Sequence, residues 1–433
     1  MKPIIFLFCL ALFIQCTDPA GNEVNIHQKE NGDFELLKNG QPYFVKGART
    51  LGVKYMDRVA SRGGNSVRVG SQHLAQVLDS AETLGLTVLV GLPVAAERSG
   101  FNYSDPQAVS AQHEEVKSFV SKYRNHPAVL MWVIGNELDH VPGQETYNLK
   151  MWDAINDIAI MIHQEDPNHP AMTVIGTGRK PKLQDLIKRC PDLDLLGVNA
   201  YADLYEVPDW LREYNWNKPY LVTEWGPDGH WQVPKTQWGA VIEQTSTEKA
   251  AAYRNRYQKV ISDDPLCLGS YVFLWASDRQ ERTHTWYNMF HDDGTAKQQV
   301  EVMYEMWNGH LPDNLTPRID SIRINSLAAI EDINLEPGSE NTAEVFATDP
   351  DGDPLEITWE LLPELKEFGA YAGQGEQKPA AMPEFLLQNS GEQIQFKAPT
   401  ESWNYRLFVY VHDGNNHAGV ANIPFHVKVE NLP

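Results

Sequence analysis

Residues 129–137 read VLMWVIGNE: an unbroken apolar run that ends in an amide and a carboxylate. A run without polar alternation is a strand buried on both faces, as in a parallel sheet covered by helices. The same pattern recurs along the chain. YFVKGART (43–50), SVRVG (66–70) and TVLVGLPV (87–94) precede it, and AMTVIGT (171–177), DLLGVNAY (194–201), YLVTEWG (220–226) and LGSYVFLWAS (268–277) follow. Helical stretches lie between them, among them LAQVLDSAETLG, QAVSAQHEEVKSFVSKYRNHP and MWDAINDIAIMIHQE, and QQVEVMYEMWNG closes the set. Eight strands alternating with eight helical segments over 267 residues (43–309) match a (β/α)8 barrel, which needs ~250 residues. An open doubly wound sheet is the alternative. It would want a glycine-rich phosphate loop after its first strand, and KGARTLG (46–52) is not one.

The flanks read differently. MKPIIFLFCLALFIQC opens with Lys2 and an apolar stretch of signal-peptide length. Residues 1–15 resemble a lipoprotein-type signal, with Cys16 as the acylated residue and Gln15 where a small residue is usual. A plain secretory signal cut near Ala20 is the other reading; both place the protein outside the cytoplasm. Residues 16–42 form a linker and a hairpin, marked by the turn dipeptides Asn31-Gly32 and Asn39-Gly40. The barrel is assigned to 43–310. From 318 to 433 short alternating strands at regular spacing predict an immunoglobulin-like β-sandwich. Asp349, Asp351 and Asp353 alternate as calcium ligands do, but Pro354 stands where a calcium loop would need glycine. A proline-rigid turn is the favoured reading there.

The net charge of −22 argues against nucleic acid or an anionic membrane surface as partner. A neutral carbohydrate is compatible with it, and twelve Trp offer flat faces for sugar stacking. Beyond the leader, Cys190 and Cys267 are too few for a disulfide framework and read as buried residues. No CxxC or His-rich spacing suggests a metal site, and no cofactor is expected.

In a (β/α)8 barrel the C-terminal strand ends form the active face. Glu137 then sits at the tip of strand four and Glu224 at the tip of strand seven. Two carboxylates facing each other across the mouth are the apparatus of glycoside hydrolysis: one attacks the anomeric carbon, the other protonates the departing oxygen and then activates water.

With those residues in place, the chain resembles a clan A glycoside hydrolase, most closely the family 2 catalytic barrel, with a weaker similarity to β-1,3-glucanosyltransferases. WVIGNE and LVTEWG are the motifs that carry the resemblance. It implies that Glu137 is the acid/base and Glu224 the nucleophile. Asn136 would contact the sugar 2-hydroxyl, Arg68 would orient and ionise the nucleophile, Tyr201 would touch it, and Trp275 would floor the sugar site. Asn199 stands where several families of the clan place His. The Glu224 charge is expected to raise the pKa of Glu137. Arg49, His73, Trp225, Trp231, Trp238 and Trp286 lie on top-face segments and are candidate subsite residues. The expected activity is retaining hydrolysis of a β-glycosidic bond, with a β-glucan, perhaps β-1,3-linked, as the substrate. A transglycosylase using the same residues and a non-catalytic glycan-binding protein are the alternatives.

Overall fold

The computed structural model describes residues 22–140, 147–177, 180–276, 280–366, 368 and 376–428. The signal segment and Cys16 lie outside the described residues.

Eight parallel strands close a barrel in chain order: Val45–Thr50, Ser66–Val69, Thr87–Gly91, Val129–Asn136, Ala171–Gly176, Leu195–Asn199, Tyr220–Trp225 and Cys267–Ala276, the last pairing with the first. Side-chain alternation divides each apolar run between two cores. On strand four, Trp132 and Ile134 join the shell beneath the helices. Met131 and Val133 face inward and fill the barrel with Leu89, Met172, Leu195, Leu221 and Tyr271. Local chemistry starts the helices where the periodicity predicts them. Asp105 caps the helix Pro106–Tyr123 by accepting from the Gln107 amide at 2.9 Å, with proline at the first position. Thr245 and Glu248 form a capping box on Ser246–Arg256.

The N-terminal hairpin, Val24–Gln28 paired with Phe34–Lys38, closes one end of the barrel. Val24 and Leu36 enter the interior cluster, and the hairpin backbone bonds to Asn168 and Pro265, which precede strands five and eight. The opposite end, where the strands finish, is therefore the end left for chemistry.

After the helix Gln298–Asn308 the chain builds two antiparallel-type sheets over a single core. One sheet contains Arg318–Ile324, Glu340–Thr348 and Gln393–Lys397; the other contains Asn334–Leu335, Ala418–Val427, Asn404–His412 and Glu356–Pro363. The sandwich docks on the barrel through buried polar contacts. Glu243 binds Lys249 at 2.5 Å and accepts from Asn422 of the sandwich at 2.7 Å, and Arg406 donates to the Val241 carbonyl at 2.8 Å. Asp349 accepts from the amides of Asp351 and Asp353 at 2.9 and 3.0 Å, while Asp351 accepts from Leu315 and Asp353 from Asn415. The acidic turn thus fastens itself to the linker and to the neighbouring hairpin. Cys190 and Cys267 are separate, buried thiols, each pushed up to about 12, first of all by burial.

Candidate active site

Strand four ends in a turn that only an unusual backbone can make. Gly135 has φ +76° and Glu137 φ +47°. A Cβ on residue 135 would lie 2.4 Å from Leu138, so glycine is required both by conformation and by space. This turn places Asn136 and Glu137 side by side at the mouth.

Strands two and six bond these two residues directly, and strands seven and one join the same network. From strand two, the buried Arg68 donates to Glu224 Oε1 at 3.0 Å and to the Thr223 carbonyl at 2.7 Å through Nη1, and to Asn136 Oδ1 at 2.6 Å through Nη2. From strand six, Asn199 Nδ2 donates to Glu137 Oε1 at 2.9 Å and to Asn136 Oδ1 at 3.1 Å. Thr223 Oγ1 donates to Asn199 Oδ1 at 2.8 Å, which sets the orientation of that amide. A continuous hydrogen-bond path therefore runs Glu137–Asn199–Asn136–Arg68–Glu224. Arg49 of strand one approaches the same Glu224 oxygen at 3.6 Å. Among the described residues both arginines hold Oε1, which leaves Oε2 for a ligand.

The electrostatics match this geometry. Burial lowers the Arg68 guanidinium to about 10, against the opposing pull of Glu224 and, more weakly, Glu137; it stays charged at neutral pH and feels both carboxylates. Burial, followed by the Glu224 charge, pushes the Tyr201 phenol well above its usual value, so it is a neutral donor. Its ring lies 5.4 Å from Trp231, 5.6 Å from Tyr287 and 6.2 Å from Phe273.

The remaining expected residues separate into two groups. Trp231 is 54 % exposed beside Tyr201 and offers a face at the mouth. Trp286 is buried just beneath, with its Nε1 donating to the Asp228 carbonyl at 3.0 Å. Trp225 points the other way, against Tyr253 and Tyr257 of the helical layer, as alternation from Glu224 demands. Trp275 also lies in that layer, stacked at 5.5 Å on Trp307. The aromatic that instead faces Tyr201 and Arg49 is Phe273. The cause is an irregularity in strand eight: Val272 pairs with Ala48 and Ala276 with Thr50, so extra residues bulge out and break the alternation. Trp238 stacks at 5.8 Å on His426 of the sandwich. His73 is exposed at the start of the helix after strand two, and its side chain has no hydrogen bond or ion pair among the described residues.

Local sequence patterns did not single out several contributors. Thr223 orients Asn199, and Tyr287 brings close to Tyr201 a buried hydroxyl that has no hydrogen-bond partner among the described residues. Glu376 comes from the sandwich: it accepts from the Arg282 amide at 2.6 Å, where the backbone has φ +65°. Phe368 covers the Arg282 guanidinium at 3.8 Å, and Arg282 Nε donates to His230 Nδ1 at 3.4 Å. Burial, then Arg282, lowers His230 to about 4, so it is neutral and can accept. His230 in turn packs edge-on against Trp231 at 4.9 Å. The second domain thereby braces the wall of the mouth.

Residues 75–317 match the family model described as "Glycosyl hydrolases family 2, TIM barrel domain". A β-glucuronidase of Paenibacillus borealis is 22 % identical over 304 residues, covering 60 % of this chain and 48 % of its own. A β-galactosidase of Yersinia enterocolitica is 26 % identical over 198 residues, 39 % of this chain and 17 % of its own. Among solved structures, β-glucuronidase 2 of Bacteroides uniformis, covalently bound to cyclophellitol-6-carboxylate aziridine, superposes with a TM-score of 0.52 at 14 % identity. It covers 94 % of this chain and 48 % of that one, a likeness of fold. The chain spans about half the length of the Paenibacillus relative.

Proposed function

Because the chain belongs to the glycosyl hydrolases family 2 through its TIM barrel domain, we propose that it is a retaining β-glycosidase with Glu224 as nucleophile and Glu137 as general acid and base. Glu224 attacks the anomeric carbon while Glu137 gives its proton to the departing oxygen. Water, deprotonated by Glu137, then releases the sugar and frees the Glu224 carboxylate. Arg68 orients the nucleophile by hydrogen-bonding its Oε1. Asn136 Oδ1 is held by Arg68 and Asn199, and among the described residues Nδ2 has no hydrogen-bond partner and can donate to a sugar hydroxyl. Trp231 supplies a stacking face for the sugar or its leaving group.

The observation that carries this reading is the unbroken path from one carboxylate to the other. Structural acids at two strand tips would have no need of a shared arginine and two shared amides. The β-glucan expected from the sequence is the first substrate to test, followed by the β-glucuronides and β-galactosides that the relatives' names point to. Purified protein is assayed on aryl β-glycosides of these sugars and on β-1,3-glucan, with product stereochemistry read by NMR. Retention of the β-anomer and loss of turnover in Glu224→Gln are expected; an active Glu224→Gln, or inverted product, refutes the assignment. The anchor expected at Cys16 belongs to the same proposal. Cys16→Ala should move the protein from the membrane fraction to the soluble exported fraction.

A further inference from the structure

Glu137 occupies a backbone conformation that a side chain with a Cβ adopts only under constraint, at φ +47°. Such strain costs about 1–3 kcal/mol and persists only where the surroundings hold it. The holder is identifiable. Arg98, half-buried in the short 3-10 turn Glu97–Ser99 after strand three, reaches across to the strand-four tip. Its Nη2 donates to the Asn136 carbonyl at 2.9 Å, and its Nη1 to the carbonyls of Glu137 and, at 3.3 Å, His140. The turn that carries Arg98 is itself fixed. The Ala95 amide donates to Gln112 Oε1 at 2.7 Å, and the Tyr103 hydroxyl donates to the Ala95 carbonyl at 2.7 Å. Tyr103 and Gln112 are both buried.

We propose that Arg98 is a positioning residue for general acid/base catalysis: its guanidinium gathers three carbonyls of the strand-four tip and holds Glu137 in the left-handed backbone that aims its carboxyl at the scissile bond. This rests on the assignment of Glu137 above. The planar fork of arginine suits the task, because several donors in fixed directions can hold successive carbonyls at once. A lysine supplies one compact charge and cannot span them. These bonds of Arg98 end on main-chain carbonyls, so the effect they carry passes through the main chain. Asn199 then bonds the carboxylate at the place the main chain has set.

The test compares crystal structures and kinetics of the wild type with Arg98→Met and Arg98→Lys. In Arg98→Met, Glu137 is expected to leave the left-handed region and its carboxylate to separate from Asn199. On phenyl β-glycosides of the sugar that the wild type accepts, kcat should fall about 10- to 100-fold, the scale of an ångström-sized misplacement, with KM nearly unchanged. On 2,4-dinitrophenyl glycosides, whose departure needs no proton, release of the sugar from the glycosyl-enzyme limits Arg98→Met; azide needs no general base, so it should speed that turnover by attacking C1 of the glycosyl-enzyme. That step gives the β-glycosyl azide and frees the Glu224 carboxylate; the wild type should not respond. Arg98→Lys should lie between, and it supplies the same measurements if Arg98→Met does not fold. A variant crystal in which Glu137 keeps its left-handed backbone and its bond to Asn199 overturns the proposal whatever the activity. An inactive wild type would instead count against the glycosidase reading, and the crystallographic comparison would still decide the role of Arg98.

Discussion

If Glu137 is the acid and Glu224 the nucleophile as proposed, Asn199→Ala should separate the chemistry of the two. The side chain is 4 % exposed and donates to Glu137 Oε1 at 2.9 Å. While Glu137 is a neutral acid, that bond is an ordinary one, worth about 0.5–1.5 kcal/mol; once the proton has left, it is a bond to a carboxylate, worth about 1.5–3 kcal/mol. Only the difference, about 1–2 kcal/mol, belongs to the transition state of protonation. At about 1.4 kcal/mol per decade, Asn199→Ala should lower kcat/KM about 5- to 30-fold. The loss should appear on phenyl glycosides, whose leaving oxygen needs the proton. It should nearly vanish on 2,4-dinitrophenyl glycosides, which depart without one. The assay is kcat/KM for both leaving groups, with thermal melting as the control, because the Thr223 hydroxyl loses its partner as well. An equal loss on both substrates would refute the reasoning, since it would place the effect on Glu224 or on folding. No loss on either would mean that the bond does not strengthen as the proton leaves.

Gly135→Ala must place a methyl group 2.4 Å from Leu138 at φ +76°. It should cost about 2–4 kcal/mol, from left-handed strain plus overpacking, and lower kcat at least tenfold as the tip shifts; unchanged melting and activity would contradict this. Trp231→Ala removes a half-exposed ring beside Tyr201 and should raise KM by roughly the tenfold that about 1–2 kcal/mol of lost stacking represents, with kcat little changed. The domain interface should respond to acid. Burial raises the Glu243 pKa, but Lys249 and Thr283 outweigh it and hold the carboxyl at about 2, below its ordinary 4.5. A depressed carboxyl stabilises the fold above its unfolded value, and that contribution is lost as pH falls from about 4.5 through 2. Limited proteolysis should therefore release the sandwich more readily across that window in the wild type, and a flat response would remove Glu243 from the account.

How much of this was legible beforehand depends on the range of each interaction. The barrel could be read because two-sided burial leaves unbroken apolar runs, and because parallel strands closing in chain order bring their tips to one end. Asn136, Glu137 and Glu224 could be placed at the mouth from their positions on those runs, while Arg68 and Tyr201 were assigned there through the resemblance to clan A glycoside hydrolases. Trp275 could not be placed correctly. A bulge in strand eight breaks the alternation between Val272 and Ala276 and turns Trp275 to the helical layer, while Phe273, two residues after the inward Tyr271, faces the mouth. The pairing register that makes this bulge is a relation to strand one and leaves no local mark.

The sequence by itself therefore determined the architecture and put Glu137 and Glu224 at the tips of strands four and seven, since both follow from periodicity and from where each strand ends. The tertiary structure alone decided what surrounds the pair. It showed that Asn199 joins Glu137 to Asn136, that Arg98 grips the strand-four tip, and that Glu376 of a separate domain braces Arg282. Each of these is a directional hydrogen bond between residues far apart in the chain, and its existence depends on angles and distances to about an ångström. Apolar burial tolerates looser placement, which is why its pattern is written along the chain and these contacts are not.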